Sequence, residues 1–377
     1  MTALVTLLTL LVAPAQAQDH SDGQIVLNVL ENNLVLQPTA RVQVWSTAFD
    51  MDEDPQADPS SYGDPEADIG FSIRRARIGL TGNMGGTFWR VSMGTGAPYD
   101  GLSTSEDLIQ IVDAYGGYRF GEKRNTTIAA GIVPVPFARE TLMSSLDLTF
   151  QERGVGTIWT SPIRDVGVMF DTTQGIFRGR AGVYNGNGNI LGDNNDGVMG
   201  AARVELASGD TYRTYSPDGE AAYGVALSAL YNDDISTNTL GLNADALARV
   251  GPITATVGIT RNATSPKDDL IAAPTVVSDT TAIGFTGQLS AGFPLLDGGL
   301  EIAARYSSLD DATQLKDNGD VSIVHVGANF HDIAPGIDLG AGYILRLERQ
   351  GRSVNNDTVR IWTQFRFPLN DRSGELL

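Results

Sequence analysis

The sequence predicts an all-β protein, a 16-stranded antiparallel transmembrane β-barrel with an inward-folded third outer loop. Three observations lead to this fold class: runs of about ten residues with alternating polarity, connections of alternating length, and aromatic residues grouped near strand ends. Successive side chains of a strand point to opposite faces, so alternating polarity indicates one apolar face and one polar face. A membrane barrel needs both faces, because lipid surrounds it and its interior is polar.

Sixteen stretches of the chain alternate in this way. In one of them, Ile253, Ala255, Val257 and Ile259 alternate with threonine and glycine. Glycine, asparagine, aspartate and proline separate the stretches, as expected of turns. The predicted strands are residues 40–48, 71–82, 86–96, 110–120, 126–135, 163–170, 177–184, 199–207, 221–231, 239–250, 253–261, 282–293, 299–307, 321–330, 337–348 and 358–367.

The connections between the predicted strands alternate between long and short. Residues 49–70 and 97–109 form long connections, whereas 83–85 and 121–125 form short ones. Outer-membrane barrels have short periplasmic turns and long outer loops, and an even strand number places both termini on the periplasmic side. One connection, 208–220, is long where a short turn is expected.

Aromatic residues on the predicted lipid-facing side lie near strand ends. Phe120, Phe170 and Phe367 fall at the end of their strands, and Phe177 and Tyr223 fall at the start of theirs. Barrels carry such residues where strands cross the membrane interfaces. A soluble β protein would instead distribute them through its core.

The N-terminal residues predict export. An apolar run is followed by Ala15-Gln16-Ala17, the small-x-small pattern of signal-peptidase cleavage. No later stretch has the roughly 18 consecutive apolar residues of a membrane-spanning helix, which leaves a periplasmic protein, a secreted protein or an outer-membrane barrel. The barrel pattern described above favours the bacterial outer membrane. The expected division is a signal peptide at 1–17, an N-terminal periplasmic segment at 18–39, a transmembrane β-barrel at 40–367 and a C-terminal tail at 368–377.

The composition is acidic, with 26 lysines and arginines against 45 aspartates and glutamates, for a net charge of −19. This charge argues against nucleic-acid binding, which needs a basic surface. The chain has no cysteine, which excludes disulfides and thiolate metal sites. No catalytic triad, P-loop or nucleotide fingerprint is evident, so we expect no enzyme, no metal site and no cofactor.

Arginine is concentrated on the face predicted to line the lumen. Thirteen arginines have this orientation against seven acids, a surplus of six positive charges, which leaves −25 for the rest of the chain. In the strand 71–82, Arg75 and Arg77 point to the lumen, whereas Arg74 is predicted to point toward lipid headgroups. The thirteen are Arg41, Arg75, Arg77, Arg90, Arg119, Arg178, Arg180, Arg203, Arg249, Arg305, Arg346, Arg360 and Arg366.

This wall charge predicts a passive channel that prefers small anions. Arginine offers a rigid fork of donors that suits oxyanions, although a codon preference for arginine would also explain its abundance. Pairing with lumen acids would explain a single arginine, but seven acids cannot neutralise thirteen. Residues 134–155, which include Ser144 and Ser145, are the expected constriction, where side chains set selectivity.

Two other classes of protein remain open. One is a structural or adhesion-type outer-membrane barrel with an incidental or plugged pore, whose acidic outer loops bridge divalent cations to lipopolysaccharide or a partner. The other is a soluble secreted β protein. Absence of conductance would favour the first, and membrane fractionation would identify the second.

Residues 71–190 resemble the phosphate-selective porin O/P family. The resemblance rests on the motifs FSIRRARIGLTG, DAYGGYRF, PFARETLMSSLDLTFQER, RDVGVMF and AGVYNGNGN in this order. It implies a homotrimer of 16-stranded barrels in outer-membrane lipid and lipopolysaccharide, with an arginine-lined path for small anions, including phosphate or similar oxyanions.

The resemblance also implies site residues. Phosphate-specific members have two adjacent serines and an arginine eight residues after the second, and Ser144, Ser145 and Arg153 keep this spacing. Those members have a lysine three positions before the first serine, where this chain has Thr141. Asp113 corresponds to a lumen aspartate of the family. The expected pore residues are Arg41, Arg75, Arg77, Arg90, Asp113, Arg119, Ser144, Ser145 and Arg153.

Overall fold

The computed structural model describes most of the predicted barrel. The residues described are 24–29, 32–49, 70–95, 109–121, 123–188, 197–216, 219–267, 278–295, 298–315, 320–348 and 357–368. The predicted signal peptide, the acidic stretch 50–68 and the tail beyond Pro368 lie outside these ranges. Within the described part of the chain, no helix is both long and apolar enough to cross a membrane.

Seventeen strands are formed in these ranges. Their bounds are β1 Ile25–Val29, β2 Asn32–Phe49, β3 Gly70–Met84, β4 Thr87–Gly94, β5 Gln110–Phe120, β6 Thr126–Pro134, β7 Arg164–Gln174, β8 Phe177–Tyr184, β9 Met199–Ser208, β10 Ala222–Asp233, β11 Thr237–Val250, β12 Ile253–Pro266, β13 Thr280–Leu295, β14 Gly298–Asp310, β15 Val321–Ala334, β16 Ile337–Glu348 and β17 Thr358–Phe367.

Strands β2 to β17 form a closed antiparallel ring. Each strand pairs with its neighbours in the chain, and β17 pairs with β2 to close the sheet. In the closing pair, Arg366 lies opposite Arg41 and Phe367 lies opposite Ala40. Closure leaves no unpaired sheet edge, which is the condition for strands to span a membrane. The predicted 16-stranded antiparallel β-barrel is therefore confirmed.

The strand bounds agree with the predicted ones to within five residues, except at the N-terminus. Strand β2 begins at Asn32 rather than at residue 40, and its residues 34–39 pair with β3. The preceding strand β1 forms a hairpin with it, in which Ile25 lies opposite Leu36. Alternation did not indicate this extension, because Leu34, Val35 and Leu36 are consecutive apolar residues.

The outer face of the ring is apolar, as predicted. On β10, exposed side chains alternate with buried ones, and Tyr223, Val225, Leu227 and Tyr231 are 49–64% exposed. The exposed aromatic residues at strand ends include Phe120, Phe170, Phe177, Phe293 and Phe367. These positions correspond to the aromatic belts of membrane barrels.

Residues 135–163, which connect β6 to β7, form the interior segment. It contains two one-turn helices, α1 (Arg139–Leu142) and α2 (Val155–Ile158). Its carbonyl oxygens accept hydrogen bonds from side chains of β2, β10, β12 and β15, which lie around the ring; the donors are Gln43, Ser228, Asn262 and Asn329. A segment that contacts all these strands on their buried face crosses the barrel interior. The predicted inward-folded third outer loop falls in this connection between β6 and β7.

Apolar side chains hold the interior segment at three points. Phe137 packs in a cluster with Tyr184 and other residues of β4 to β10. Phe150 packs with Trp45 and Trp362, and Val155 packs in a third cluster. Full burial of Phe137 and Phe150 removes large apolar surfaces from water, which favours one position of the segment.

Candidate functional site

Arg41 and Arg77 lie directly opposite each other on β2 and β3. Arg366 lies opposite Arg41 on its other side, so three guanidinium groups share one level of the wall. Arg366 pairs with Asp332 and with Asp338. Like charges in directly opposite positions destabilise a sheet, so strand pairing alone does not favour Arg41 facing Arg77.

Arg77 and Arg41 border further arginines and the interior segment. Arg77 lies within electrostatic range of Arg41, Arg75 and Arg164. Arg41 Nη1 lies 3.5 Å from Ser144 Oγ, at the limit of a hydrogen bond. The predicted pore residues Arg41, Arg75, Arg77 and Ser144 therefore come together on one side of the lumen.

Arg74 also points inward, which corrects the prediction that it faces lipid. Gln43 lies opposite Arg75 and Val44 lies opposite Ile73, so Arg74 is the extra residue of a β-bulge. Arg74 Nε and Arg75 Nη2 both donate to Glu152 Oε1, the latter at 2.9 Å. Period-two alternation assumes regular pairing, and a bulge changes the face that a side chain takes.

Arg75 binds the interior segment to the wall. Its side chain is 2% exposed, and Nη1 donates to Gln43 Oε1 at 2.9 Å and to the Gln151 carbonyl at 2.7 Å. Trp45 Nε1 donates to Gln151 Oε1 at 2.9 Å. Arg75 therefore positions the segment as well as contributing charge.

Glu152 and Arg153 of the interior segment keep their charges near neutral pH. Burial alone would raise the pKa of Glu152, but the guanidinium groups of Arg74 and Arg75 lower it to about 2. Burial lowers the pKa of Arg153 to about 10. Arg153 donates from Nε to the Glu140 carbonyl at 2.9 Å and from Nη2 to the Met143 carbonyl at 3.1 Å, so it ties α1 to the part of the segment that precedes α2.

Asp113 organises two arginines beside this group. It is fully buried and accepts hydrogen bonds from Ser92 Oγ at 2.5 Å and Arg164 Nε at 2.7 Å. Arg90 Nε lies 3.2 Å from Asp113 Oδ2, the oxygen that also accepts from Ser92. Alternation did not select Arg164, because it is the first residue of β7 and shares the parity of residues predicted to face lipid.

The remaining predicted residues have different surroundings. The Arg119 guanidinium lies 4.3 Å from the centre of the Phe88 ring, a cation–π contact. Ser145 accepts from Gln43 Nε2 through its carbonyl at 3.0 Å, and its buried Oγ has no hydrogen-bond partner among the described residues. Thr141 Oγ1 donates to the Ala138 carbonyl at 2.8 Å, so it closes a turn of α1.

A second arginine group lies on the opposite side of the lumen. It includes Arg139, which was not among the pore residues predicted from the sequence. Arg139 Nε and Arg203 Nη2 bind Asp245 Oδ1 at 2.9 and 2.8 Å. Arg139 Nη1 also binds Glu205 Oε1 at 2.7 Å. These two arginines and two carboxylates balance in charge. Arg139 belongs to α1, so no strand pattern pointed to it.

Residues 209–221, the long connection from β9 to β10, meet the interior segment. Thr214 Oγ1 donates to the Asp147 carbonyl at 3.0 Å and accepts from Thr149 Oγ1 at 2.9 Å. Arg139 Nη1 donates to the Thr211 carbonyl at 2.9 Å. This connection starts from the end of the barrel opposite to that of the interior segment. Residues from both connections therefore occupy the lumen. The unusual length of the connection has this structural explanation.

The closed barrel has counterparts among known proteins. Residues 49–233 match the family model described as phosphate-selective porin O and P. The class of protein is therefore an outer-membrane porin, a β-barrel channel of the bacterial outer membrane. This match confirms the resemblance to the phosphate-selective porin O and P family that the sequence motifs had indicated, and it covers the strands that carry those motifs.

Solved porin structures share the fold. OmpF of Salmonella typhi in complex with daunomycin is 12% identical with a TM-score of 0.56, over 92% of this chain and 99% of that chain. OmpT of Vibrio cholerae is 10% identical with a TM-score of 0.52, over 89% and 98%. An anion-selective porin from Comamonas acidovorans is 12% identical with a TM-score of 0.53, over 89% and 100%. No curated protein sequence matches the chain.

Proposed function

We propose that this porin is a passive diffusion channel that prefers small anions, including phosphate or similar oxyanions. The observation that carries the proposal is a local surplus of arginine, here called the arginine cluster. The cluster contains six guanidinium groups and three carboxylates, and each of them lies within electrostatic range of at least one other member. The arginines are Arg41, Arg74, Arg75, Arg77, Arg153 and Arg164, and the acids are Asp113, Glu140 and Glu152.

The cluster can attract anions without holding them tightly. Guanidinium donors replace part of the hydration shell of a passing oxyanion, and charge-assisted hydrogen bonds are the stronger ones in proteins. Conduction also requires that each site be weak enough for the ion to leave. Ion pairs such as Glu152 with Arg74 and Arg75 reduce the field of the cluster to a moderate surplus.

Two further properties belong to the proposal. The family implies a homotrimer, in contact with outer-membrane lipid and lipopolysaccharide. The structural likeness to an anion-selective porin supports anion preference only as an analogy of fold. Arg90, Arg119, Ser144 and Ser145 are proposed as further pore residues.

Phosphate binding is expected to be weak. Thr141 stands where phosphate-specific members carry a lysine, and its hydroxyl is engaged with the Ala138 carbonyl. We expect phosphate to block chloride current only at millimolar concentrations or above, about −4 kcal/mol or weaker. Block at micromolar phosphate would contradict the expectation that Thr141 in place of lysine weakens phosphate binding.

Reversal potentials in a KCl gradient across a planar bilayer test the proposal. The native protein should prefer chloride, and Arg41→Gln should reduce this preference. Arg124→Gln is a suitable control, because Arg124 is exposed and donates to the Gly85 carbonyl in a turn. A potassium preference of the native protein would overturn the proposal. Absence of conductance would favour the structural or adhesion-type barrel.

A further inference from the structure

Arg261 of β12 points outward from the barrel. Its neighbours in the chain point inward: Thr260 is 3% exposed, and Asn262 Nδ2 donates to the Thr160 carbonyl of the interior segment at 2.8 Å. Strand β12 pairs with β11 and β13 without a register shift along this stretch. Alternation therefore places Arg261 on the lipid-facing side, where its side chain is exposed.

The surroundings of Arg261 are apolar. Leu242 lies directly opposite it on β11, and Ile283 lies directly opposite it on β13. Among the residues that the structure describes, none forms a side-chain hydrogen bond or an ion pair with Arg261. Asp310, which lies opposite Ile283 on β14, does not pair with it either. A positive charge in this position favours an anion from outside the chain.

Arg261 lies toward the end of the barrel that carries the long connections. It is eight residues after Ile253, the first residue of β12. At about 3.3 Å per residue and a strand tilt of about 40°, this places it about 20 Å above the short turn. The apolar band of a membrane barrel is about 25 Å tall, with aromatic residues at its borders. Exposed Tyr231 and Tyr306 lie near the same ends of β10 and β14, so the guanidinium reaches the headgroups of the outer leaflet.

A groove of about 640 Å³ lies below Arg261 on the same lipid-facing surface. Its floor is formed by Ala244 and Ala246 of β11. Larger apolar side chains of β10 and β12 flank this floor on both sides; they are Val225, Leu227, Val257 and Ile259. Arg261 follows Ile259 by two positions on the same face, at a distance of about 7 Å along the strand. The groove and the guanidinium are therefore contiguous.

This combination matches a lipid with an anionic headgroup. An acyl chain in the groove gains dispersion contacts with the floor and both flanks. A phosphate at the upper end of that chain accepts charge-assisted hydrogen bonds from the guanidinium, and arginine suits phosphate geometry particularly well. Inorganic phosphate would use the arginine but not the groove, and a neutral lipid would use the groove but not the arginine.

We propose that Arg261 and this groove bind lipid A, the phosphorylated and acylated membrane anchor of lipopolysaccharide. One phosphate contacts Arg261, and one acyl chain lies along Ala244 and Ala246. The inference rests on the proposed contact with outer-membrane lipid and lipopolysaccharide, to which it assigns a site. It is independent of anion conduction, because Arg261 does not face the lumen.

Native mass spectrometry of the purified, detergent-solubilised protein measures lipid binding and oligomeric state together. Titration with diphosphorylated lipid A should give adducts that saturate. Lipid A should bind at least tenfold more tightly than its dephosphorylated form with the same acyl chains, and millimolar inorganic phosphate should not displace it. Equal binding of the dephosphorylated lipid, or displacement by millimolar phosphate, would overturn the proposal.

Matched variants locate the binding. Arg261→Gln should weaken lipid A binding at least fivefold, and Ala246→Phe, which fills the groove, should weaken it at least threefold. Arg124→Gln removes an exposed arginine at a short turn and should change nothing. Ala304→Phe adds the same volume to an exposed position of β14 outside the groove and should also change nothing. Heat-modifiable gel mobility checks folding; if Arg261→Gln fails to fold, the two phenylalanine variants decide.

The outcomes separate this inference from the others. Unchanged lipid A binding in both Arg261→Gln and Ala246→Phe would contradict the site alone. A changed oligomeric state in Ala246→Phe with unchanged lipid A binding would assign the groove to a second copy of the chain and overturn the proposal. Absence of all lipid A adducts would contradict the proposed lipopolysaccharide contact together with the site. Lipid A binding at this site in a channel that prefers potassium would contradict only the anion-channel proposal.

Discussion

The two arginine groups of the lumen differ in how their charges are balanced. Beside β9 to β11, Arg139 of α1 and Arg203 of β9 meet Asp245 and Glu205, so two cations meet two anions in a buried network. Such a network fixes the position of the interior segment and leaves little field for a solute. These are the arginines for which pairing with lumen acids is a sufficient explanation.

The arginines of β2 and β3 lie in different surroundings. Arg41 faces Arg77 across the strands, while Glu152 is shared by Arg74 and Arg75. The number of carboxylates within reach therefore distinguishes the two groups, although both have the same residue type on the same face. Position on the lumen face is not enough to assign an arginine to the anion path.

The largest effect is expected on the balanced side. Asp245→Asn would leave Arg139 and Arg203 with an uncompensated charge in a buried site. Breaking a buried ion pair costs about 3–5 kcal/mol, so the urea midpoint of unfolding should fall strongly. Asp210→Asn is the control, because its pair with Arg213 at 3.3 Å is more exposed and should contribute about 0–1 kcal/mol. Equal destabilisation by both variants would contradict the comparison.

The interior segment connects the two sides, and its fit against the wall gives the next effect. A Cβ added at Gly284 of β13 would overlap the Gly156 carbonyl of α2. Gly284→Ala should push α2 away from the wall, reduce stability by roughly 1–3 kcal/mol and change single-channel conductance. Gly200→Ala is the matched control, because an added Cβ there meets no atom within 4 Å. Unchanged conductance in Gly284→Ala would contradict the expectation that the added Cβ displaces α2 into the lumen.

Arg74 tests the arginine-rich side. Because Arg74 is mostly buried against Glu152, Arg74→Ala should lower stability by about 1 kcal/mol and reduce chloride preference measurably. Plain alternation, which directs Arg74 to the lipid headgroups, predicts no change in selectivity. Arg124→Ala, at an exposed turn, gives the baseline. A selectivity equal to that baseline would restore the lipid-facing assignment.

The smallest effect is expected from pH. The pKa of Glu152 lies at about 2, below its ordinary value of 4.5. The stabilisation from its charge is therefore fully present above pH 4.5 and is lost as the pH falls toward 2. Chloride preference should therefore not change through Glu152 between pH 8 and 5, whereas current fluctuations should increase below pH 3. Glu152→Gln should show those fluctuations at pH 7. Titration of the native current near pH 5 that is absent in Glu152→Gln would contradict this assignment.

Alternation predicted the strands because a closed barrel imposes the same two-faced environment on every strand. It failed where pairing is irregular. Arg74 lies in a bulge of β3. Val112 has the same parity as the lipid-facing Phe120 but is buried, because Met93 pairs with Ile111 and leaves Val112 as an extra residue. A bulge depends on both paired strands, so the polarity of one strand does not indicate it.

The candidate site was less accessible to sequence reasoning than the fold. Arg41, Arg75 and Arg77 were predicted to face the lumen because they alternate with apolar residues along their strands. The position of Arg139 depends on how the interior segment folds back through the ring, and that path is determined by tertiary contacts. The family motifs indicated the segment but not which of its residues meet which strand.

The most direct test of the account compares Arg77→Gln with Arg178→Gln in the same KCl gradient. Each variant removes one interior arginine, but Arg77 belongs to the arginine cluster, whereas Arg178 lies opposite Glu205 and donates to Thr211 Oγ1 and the Gly209 carbonyl. The account predicts that the reversal potential moves clearly toward zero in Arg77→Gln and much less in Arg178→Gln. Equal shifts in the two variants would contradict the claim that local charge balance determines which arginines select the anion.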